Sequence, residues 1–269
     1  MGHWDSVFER TQQDTWWMPT RVVLVDRPDV TYTYDPERDP RYSIVTRVHP
    51  SLEDYGEVLE EVLHHQAPSG DCSFMVASPS YSPALENELK RQGFIVRGQA
   101  HCWSIDVLNE RPPLPDHVRV NRVETEEDLR DADAVAIQCF EHYHGIPEES
   151  LTRDLAACVG PDARCRRYIA RDATSGRALS VGAFNVYPKE NVGFMWGGAT
   201  IPEARGQGTY SALVTARMEE AKTLGLDRMG LYAITTTSGP IVEKQGFEKH
   251  GLVTFWFRAT EDGHQESKS

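Results

Sequence analysis

The sequence predicts a mixed α/β protein, and three observations carry that class. Strand-like and helix-like segments alternate through the C-terminal half, a glycine-rich turn sits at one strand-to-helix junction, and the N-terminal half repeats part of the same order. A content of 39% hydrophobic and 26% charged residues, with ten Tyr and six Trp, is that of a folded chain able to bury a core.

Three prolines among Pro112, Pro113 and Pro115 forbid helix and interrupt any ladder, so the clearest break lies there. The spacing divides the chain into an N-terminal domain over 1–110, a linker over 111–117, a second domain over 118–260 and a disordered polar tail over 261–269. After the linker, Val118, Val120 and Val123 alternate as a first strand. Thr125-Glu126-Glu127-Asp128 then has the cap and acids of a helix start, and Leu129, Ala132, Val135, Ala136 and Cys139 follow at helical spacing. Residues 168–171, 178–187 and 192–201 read as successive strands joined by the turn signals Asp172-Ala173-Thr174-Ser175-Gly176 and Pro188-Lys189-Glu190-Asn191. Tyr210, Leu213, Val214, Met218, Ala221 and Leu224 share one helix face, and Gly225 suits its left-handed cap. A strand over 228–234, a short helix ending at Gly246-Phe247 and a strand over 252–258 complete the pattern.

The N-terminal half repeats the later part of this order. Pro50 precedes a helix carrying Val58, Leu59, Val62 and Leu63, then a strand over 73–77, then Lys90-Arg91-Gln92-Gly93-Phe94 and Trp103. Pro202 precedes a helix, a strand over 229–233, Glu243-Lys244-Gln245-Gly246-Phe247 and Trp256. The Phe-to-Trp spacing is the same in both. Several matches in register argue for two copies of one unit, the first lacking the opening strands and helices. Glu53-Asp54-Tyr55-Gly56 stands where the second copy has Arg205-Gly206-Gln207-Gly208, and two carboxylates there would repel a phosphate.

Backbone N–H groups at a helix start lack intrahelical acceptors, and the helix dipole adds to their positive field, so a diphosphate fits there. Gly206 and Gly208 permit the unusual dihedrals and the close approach this needs, with Arg205 adding charge. Ile201-Pro202-Glu203-Ala204-Arg205-Gly206-Gln207-Gly208 resembles the signature of the GNAT superfamily of acyl-CoA-dependent N-acyltransferases, in its form V-x-P-E-x-R-G-x-G. The resemblance implies a GNAT-like acyltransferase fold of mixed α/β (α+β) sheet over 118–260, preceded by a partial, degenerate GNAT-like half, as in tandem members. It implies that the N–H groups around Arg205, Gly206, Gln207, Gly208, Thr209 and Tyr210 bind the pyrophosphate of acetyl-CoA or another acyl-CoA. It further implies that the strand end at Gly198, Ala199 and Thr200 pairs with the pantetheine arm and polarises the thioester. On the residues alone, Gly197-Gly198 also reads as a bulge, which would open a groove there.

Relatives commonly place a tyrosine, the general acid for the departing thiolate, where this chain has Val242. Tyr232, Thr235 and Ser238 are the nearby hydroxyls that could replace it. An attacking amine must also lose a proton, and Glu141 and His144, in the run Glu141-His142-Tyr143-His144, are the candidate bases. The expected activity is transfer of an acetyl or other short acyl group to a small-molecule amine by direct attack in a ternary complex. The alternatives are other CoA-thioester chemistry, such as decarboxylation, and a non-catalytic CoA-binding subunit.

A formal net charge of −13 with no basic cluster argues against nucleic acid and would favour a cationic acceptor. The five cysteines show no CxxC and no His pair at zinc spacing, so no metal is expected; they read as reduced thiols of a cytoplasmic protein. Cys139, followed by His142 and His144, leaves a thiol nucleophile as a minor alternative. No secretory leader and no apolar run of membrane length is legible, and two related halves suit a monomer as well as a homodimer.

Overall fold

The computed structural model describes residues 2–66, 71–141, 143–160 and 162–259. His142 and the 261–269 tail lie outside them. In chain order the elements are α1 (His3–Gln13), β1 (Val23–Asp26), β2 (Val30–Tyr34), β3 (Ile44–Val48), α2 (Tyr55–Gln66), β4 (Asp71–Ala77), α3 (Pro83–Arg91), β5 (Ile95–Asp106), β6 (Val118–Arg122), α4 (Glu126–Cys139), α5 (Leu151–Ala156), β7 (Cys165–Asp172), β8 (Ala178–Tyr187), β9 (Val192–Thr200), α6 (Thr209–Thr223), β10 (Arg228–Ile234), α7 (Gly239–Lys244) and β11 (Glu248–Ala259). The class is mixed α/β. The chain packs as two compact units: one takes in residues up to Trp103, Tyr232–Lys244 and the chain from Glu248, the other Ser104–Leu231 and Gln245–Phe247.

In the first unit the strand order is β1-β2-β3-β4-β11-β5. β1, β2 and β3 are antiparallel, and α2 makes the crossover that β3 and β4, a parallel pair, require. These strands correct one sequence expectation, since the first copy does not lack its opening strands. β1 to β3 are short and carry Asp26, Thr31, Thr33 and Arg47 among their apolar residues, which blurs the two-residue period. β11 lies antiparallel to β4, from Val253↔Ala77 to Ala259↔Asp71. Its Trp256 is buried with Tyr32, Leu59, Phe74, Leu85 and Leu89. The last strand of the chain thus completes the core of the first unit. A strand's own pattern shows which face is apolar but not which strand it pairs with.

In the second unit the order is β10-β9-β8-β7-β6, antiparallel except for the parallel β9/β10 pair that α6 connects. Alternation along the strands sends Ile169, Val181 and Ala199 to one face, where they bury Leu129, Ala132 and Val135 of α4. The opposite face receives α6: Gly182 lies beneath Arg217, and Arg166 pairs with Glu220 at 2.9 Å. α4 starts as its sequence demands, with Thr125 Oγ1 accepting from Asp128 N at 3.1 Å and donating to the Asp128 carboxylate at 2.8 Å. Residues 111–117 pack within this unit. Arg111 donates to the Gln245 side chain at 2.6 Å, and Gln245 donates to Ser211 of α6 at 2.8 Å.

The repeat is visible in local geometry. Gly93 and Gly246, each between a short helix and a strand, both adopt φ +83°. The residues that follow at equal spacing, Phe94 with Trp103 and Phe247 with Trp256, are all buried.

Candidate functional site

The glycine-rich turn is built by alternating backbone handedness. Pro202–Ala204 form one turn of 3-10 helix, Gly206 adopts φ +75° and Gly208 φ +81°. Left-handed backbone costs an L-residue roughly 1–2 kcal/mol, which explains glycine at both places. At Gly206 nothing else would obstruct a Cβ, whereas at Gly208 a Cβ would also lie 3.2 Å from Pro115. Thr209, buried, donates through Oγ1 to the Ala204 carbonyl at 2.9 Å and pins the turn to the helix.

The decisive feature is what caps this helix. No side chain caps the α6 N-terminus, and its first turn holds no acidic residue. The free N–H groups and the dipole are therefore left to a ligand. At the related helix α2 the Asp54 carboxylate accepts from Gly56 N at 2.7 Å and Glu57 N at 3.4 Å. The first copy caps this helix start with its own aspartate. The second leaves it open, and its residues fit a diphosphate.

The other predicted cofactor residues are held as follows. Arg205 is exposed but folds back, its Nε donating to the Thr200 carbonyl at 3.2 Å, and the Gln207 side chain donates to the Glu203 carbonyl at 2.6 Å. Ala199 is buried, with its carbonyl accepting from Ser180 at 2.6 Å. The register of β8 against β9 shifts between Val181↔Ala199 and Ala183↔Trp196, and Gly197 has φ +61°. This is a β-bulge. A Cβ on Gly198 would come within 3.1 Å of the Tyr210 ring, so glycine there lets the start of α6 close onto the bulge. The β9/β10 pairing runs from Arg228↔Val192 only to Gly230↔Phe194, leaving β9 beyond Phe194 without a β10 partner among the described residues. The bulge that Gly197-Gly198 permits is thus present in β9.

On the α4 face a cavity of about 340 Å³ opens next to the bulge. Arg167, Ala183 and Trp196 lie in register across β7, β8 and β9, and the guanidinium stacks 5.3 Å from the Trp196 ring over the small Ala183. Asp133, Phe140, Tyr143 and Asp154 complete the walls. Tyr143 donates to Asp133 Oδ1 at 2.5 Å while Ile146 N donates to Oδ2 at 2.9 Å. Burial, then the Asp133 carboxylate, push the Tyr143 hydroxyl far above its usual range, so it stays protonated. Sequence reading missed Asp133, Asp154, Arg167 and Trp196. For Arg167 and Trp196 the signal was a shared strand face, legible only once register is known; Asp133 and Asp154 reach the same cavity from α4 and α5.

Glu141 and His144 are exposed on the turn after α4, and Tyr143 between them is the residue that lines the cavity. Tyr232 and Ser238 belong to the first unit. Tyr232 is half-buried on β10, and Ser238 precedes α7, its carbonyl accepting from Ile241 N and Val242 N at 3.1 Å each. Val242 is buried in that unit. Among the described residues no group of His, Cys, Asp and Glu could hold a metal, and no helix is long and apolar enough to cross a membrane.

Comparison with known proteins adds an independent line. The model of the acetyltransferase (GNAT) family matches residues 131–247. A GCN5-related N-acetyltransferase from Kribbella flavida has a similar fold, with a TM-score of 0.70 at 15% identity over 98% of each chain. Another from Sphaerobacter thermophilus gives 0.60 at 16% identity, over 88% of this chain and 76% of that one. A tandem GNAT protein from the clavulanic acid biosynthesis pathway gives 0.62 at 12% identity, over 90% of this chain and 84% of that one. These identities speak to fold alone. No curated protein matches the sequence.

Proposed function

We propose, from the premise that residues 131–247 are a domain of the GNAT acetyltransferase family in a chain of tandem GNAT fold, that this protein transfers an acetyl or other short acyl group from coenzyme A to the amine of a small molecule. The observation that carries the reading is the uncapped N-terminus of α6 behind two left-handed glycines, set against the Asp54-capped helix of the first copy.

In this reading the N–H groups from Gln207 to Tyr210 hold the pyrophosphate, and backbone amides at the bulged end of β9 face the thioester oxygen as charge develops on it. The acceptor occupies the cavity on the α4 face, where the two carboxylates of Asp133 and Asp154 outnumber the one cation, Arg167, and favour a cationic amine. The amine loses a proton to His144 or Glu141, directly or through water. Its nitrogen then bonds to the thioester carbon, the C–S bond breaks, and the thiolate leaves. With Val242 in place of the usual tyrosine, water protonates the leaving thiolate, since a thiol of reference pKa about 8.5 is a tolerable leaving group. No acyl-enzyme forms. A cytoplasmic location and a monomeric or dimeric state accompany this reading.

Calorimetry with acetyl-CoA, followed by mass spectrometry of an amine panel, tests the proposal. Binding plus an acylated amine supports it. Absence of affinity for any acyl-CoA removes it, CO2 release from malonyl-CoA replaces it with a decarboxylase, and binding without turnover reduces it to a CoA-binding subunit.

A further inference from the structure

Behind the acceptor cavity two thiols meet. Cys158 lies in the turn after α5 and Cys165 opens β7; both are buried, and their sulfurs are 3.7 Å apart. Strand alternation puts Cys165 on the same face as Arg167, whose positive charge acts on the Cys165 sulfur. The one S–H of Cys158 lies within reach of both the Asp154 carbonyl, at 3.2 Å, and the Cys165 sulfur. Arg167 and Asp154 both line the 340 Å³ cavity, so each sulfur is separated from it by one residue. Cys72 and Cys102, also buried, have no second sulfur beside them among the described residues, and burial above all pushes their thiols far up.

We propose that Cys158 and Cys165 form an oxidisable dithiol, a modification site that reacts with peroxide admitted through the cavity and closes to a disulfide. The Cys165 sulfur attacks one peroxide oxygen, the O–O bond breaks, and the departing hydroxide takes a proton to leave as water. The Cys158 sulfur then attacks Cys165, the S–O bond breaks, and the second water leaves with the Cys158 proton. Two thiols lose two electrons, and one peroxide becomes two waters.

The order of attack follows from the surroundings. Donation from Cys158, together with the positive charge of Arg167, holds Cys165 below the usual thiol range against burial, while the same contact and burial push Cys158 up. The thiolate is the nucleophile, so Cys165 reacts first and Cys158 resolves. Closure brings the sulfurs to about 2.05 Å. The strand fixes Cys165, and the turn carrying Cys158, with Gly160 at φ +99°, supplies the movement. Oxidation takes the S–H donor from the Asp154 carbonyl and the thiolate character of Cys165 from beside Arg167. It therefore alters the cavity wall next to Trp196, a consequence that goes beyond acyl transfer and rests only on cavity geometry.

The test treats the full chain with hydrogen peroxide, unfolds it, alkylates free thiols and measures intact and tryptic masses. Three of the five cysteines are expected to be alkylated, and because trypsin cuts after Arg164, the Cys158 and Cys165 peptides should stay joined until reduced. The pair should oxidise about tenfold faster than Cys139, a more exposed thiol that burial holds above the usual range despite the nearby Arg205. Five alkylated cysteines, a different cross-link, or oxidation no faster than at Cys139 overturns the proposal. Cys158→Ser should stop at a dimedone-reactive sulfenic acid on Cys165, and Cys165→Ser should leave Cys158 unreacted; the reverse pattern overturns the order of attack. The wild-type measurement decides closure even if either variant folds poorly. It needs no turnover, so its failure leaves the acyl-transfer reading standing.

Discussion

Arg217 is fully buried on α6, and among the described residues no carboxylate pairs with it. Its guanidinium donates to the carbonyls of Leu213 at 3.0 Å and Ala183 at 3.2 Å, groups that also lie within helix and sheet ladders. Burial draws its pKa down, the direction of a cation held at a cost. Replacing a buried charge with an apolar chain of similar length is often neutral or stabilising when nothing is orphaned. Arg217→Met is therefore expected to melt at the same temperature as the wild type or higher, by differential scanning calorimetry. Glu9 behaves in a related way. It is buried, burial raises its pKa, and the Ser80 hydroxyl, which donates at 2.6 Å, opposes this. An acid with a raised folded pKa contributes stability below its unfolded value of about 4.3, and that contribution is lost as pH rises through the folded value. Glu9→Gln should thus match the wild type in melts near pH 4 and exceed it increasingly toward pH 7. A constant difference across that window would mean that ionisation of Glu9 is not the cause.

At the scale of elements, α2 and α6 are two versions of one helix start. The carboxylate on α2 satisfies two N–H groups within the chain, and the glycines on α6 leave theirs for a ligand. Asp54→Ala should cost about 1 kcal/mol, the ordinary value of a lost N-cap, measured by urea unfolding. It should leave acyl-CoA affinity unchanged. Gly208→Glu does the opposite: a side chain at φ +81° meets Pro115, and its charge opposes a phosphate at the positive end of the helix. Calorimetry should show affinity for acetyl-CoA falling by two orders of magnitude or more (about 2.7 kcal/mol), with the circular dichroism spectrum kept. The α6 start was legible in the sequence because glycine dihedrals are a local property, whereas at α2 the carboxylates read as repelling a phosphate and only the structure shows Asp54 capping the helix. The bulge at Gly197 was legible only as an option, since two adjacent glycines permit a bulge without requiring one. The cavity residues were not legible, because Arg167, Ala183 and Trp196 become neighbours only through the register of three strands.

At the scale of the whole molecule, the first unit is not made by the first part of the chain alone. β11 supplies the strand beside β4, Trp256 enters its core, and Thr235 N donates to the Gln99 carbonyl at 3.1 Å. A fragment ending at residue 110 would leave the edge of β4 unpaired and Phe74, Leu85 and Leu89 without Trp256. Expressed by itself it should aggregate or lack cooperative unfolding, as judged by size-exclusion chromatography and thermal melts; a soluble, cooperative fragment would show that β11 is dispensable there. Sequence by itself determined the α/β class, most of the strands and helices, the two related copies and the glycine-rich turn that opens α6, because periodicity and backbone handedness act within a few residues. Tertiary structure decided that β11 joins β4, that β1 to β3 open the first copy, and which side chains enclose the cavity. Strand partners and register are fixed by hydrophobic faces meeting across long stretches of chain, and a strand read alone carries its pattern but not its neighbour.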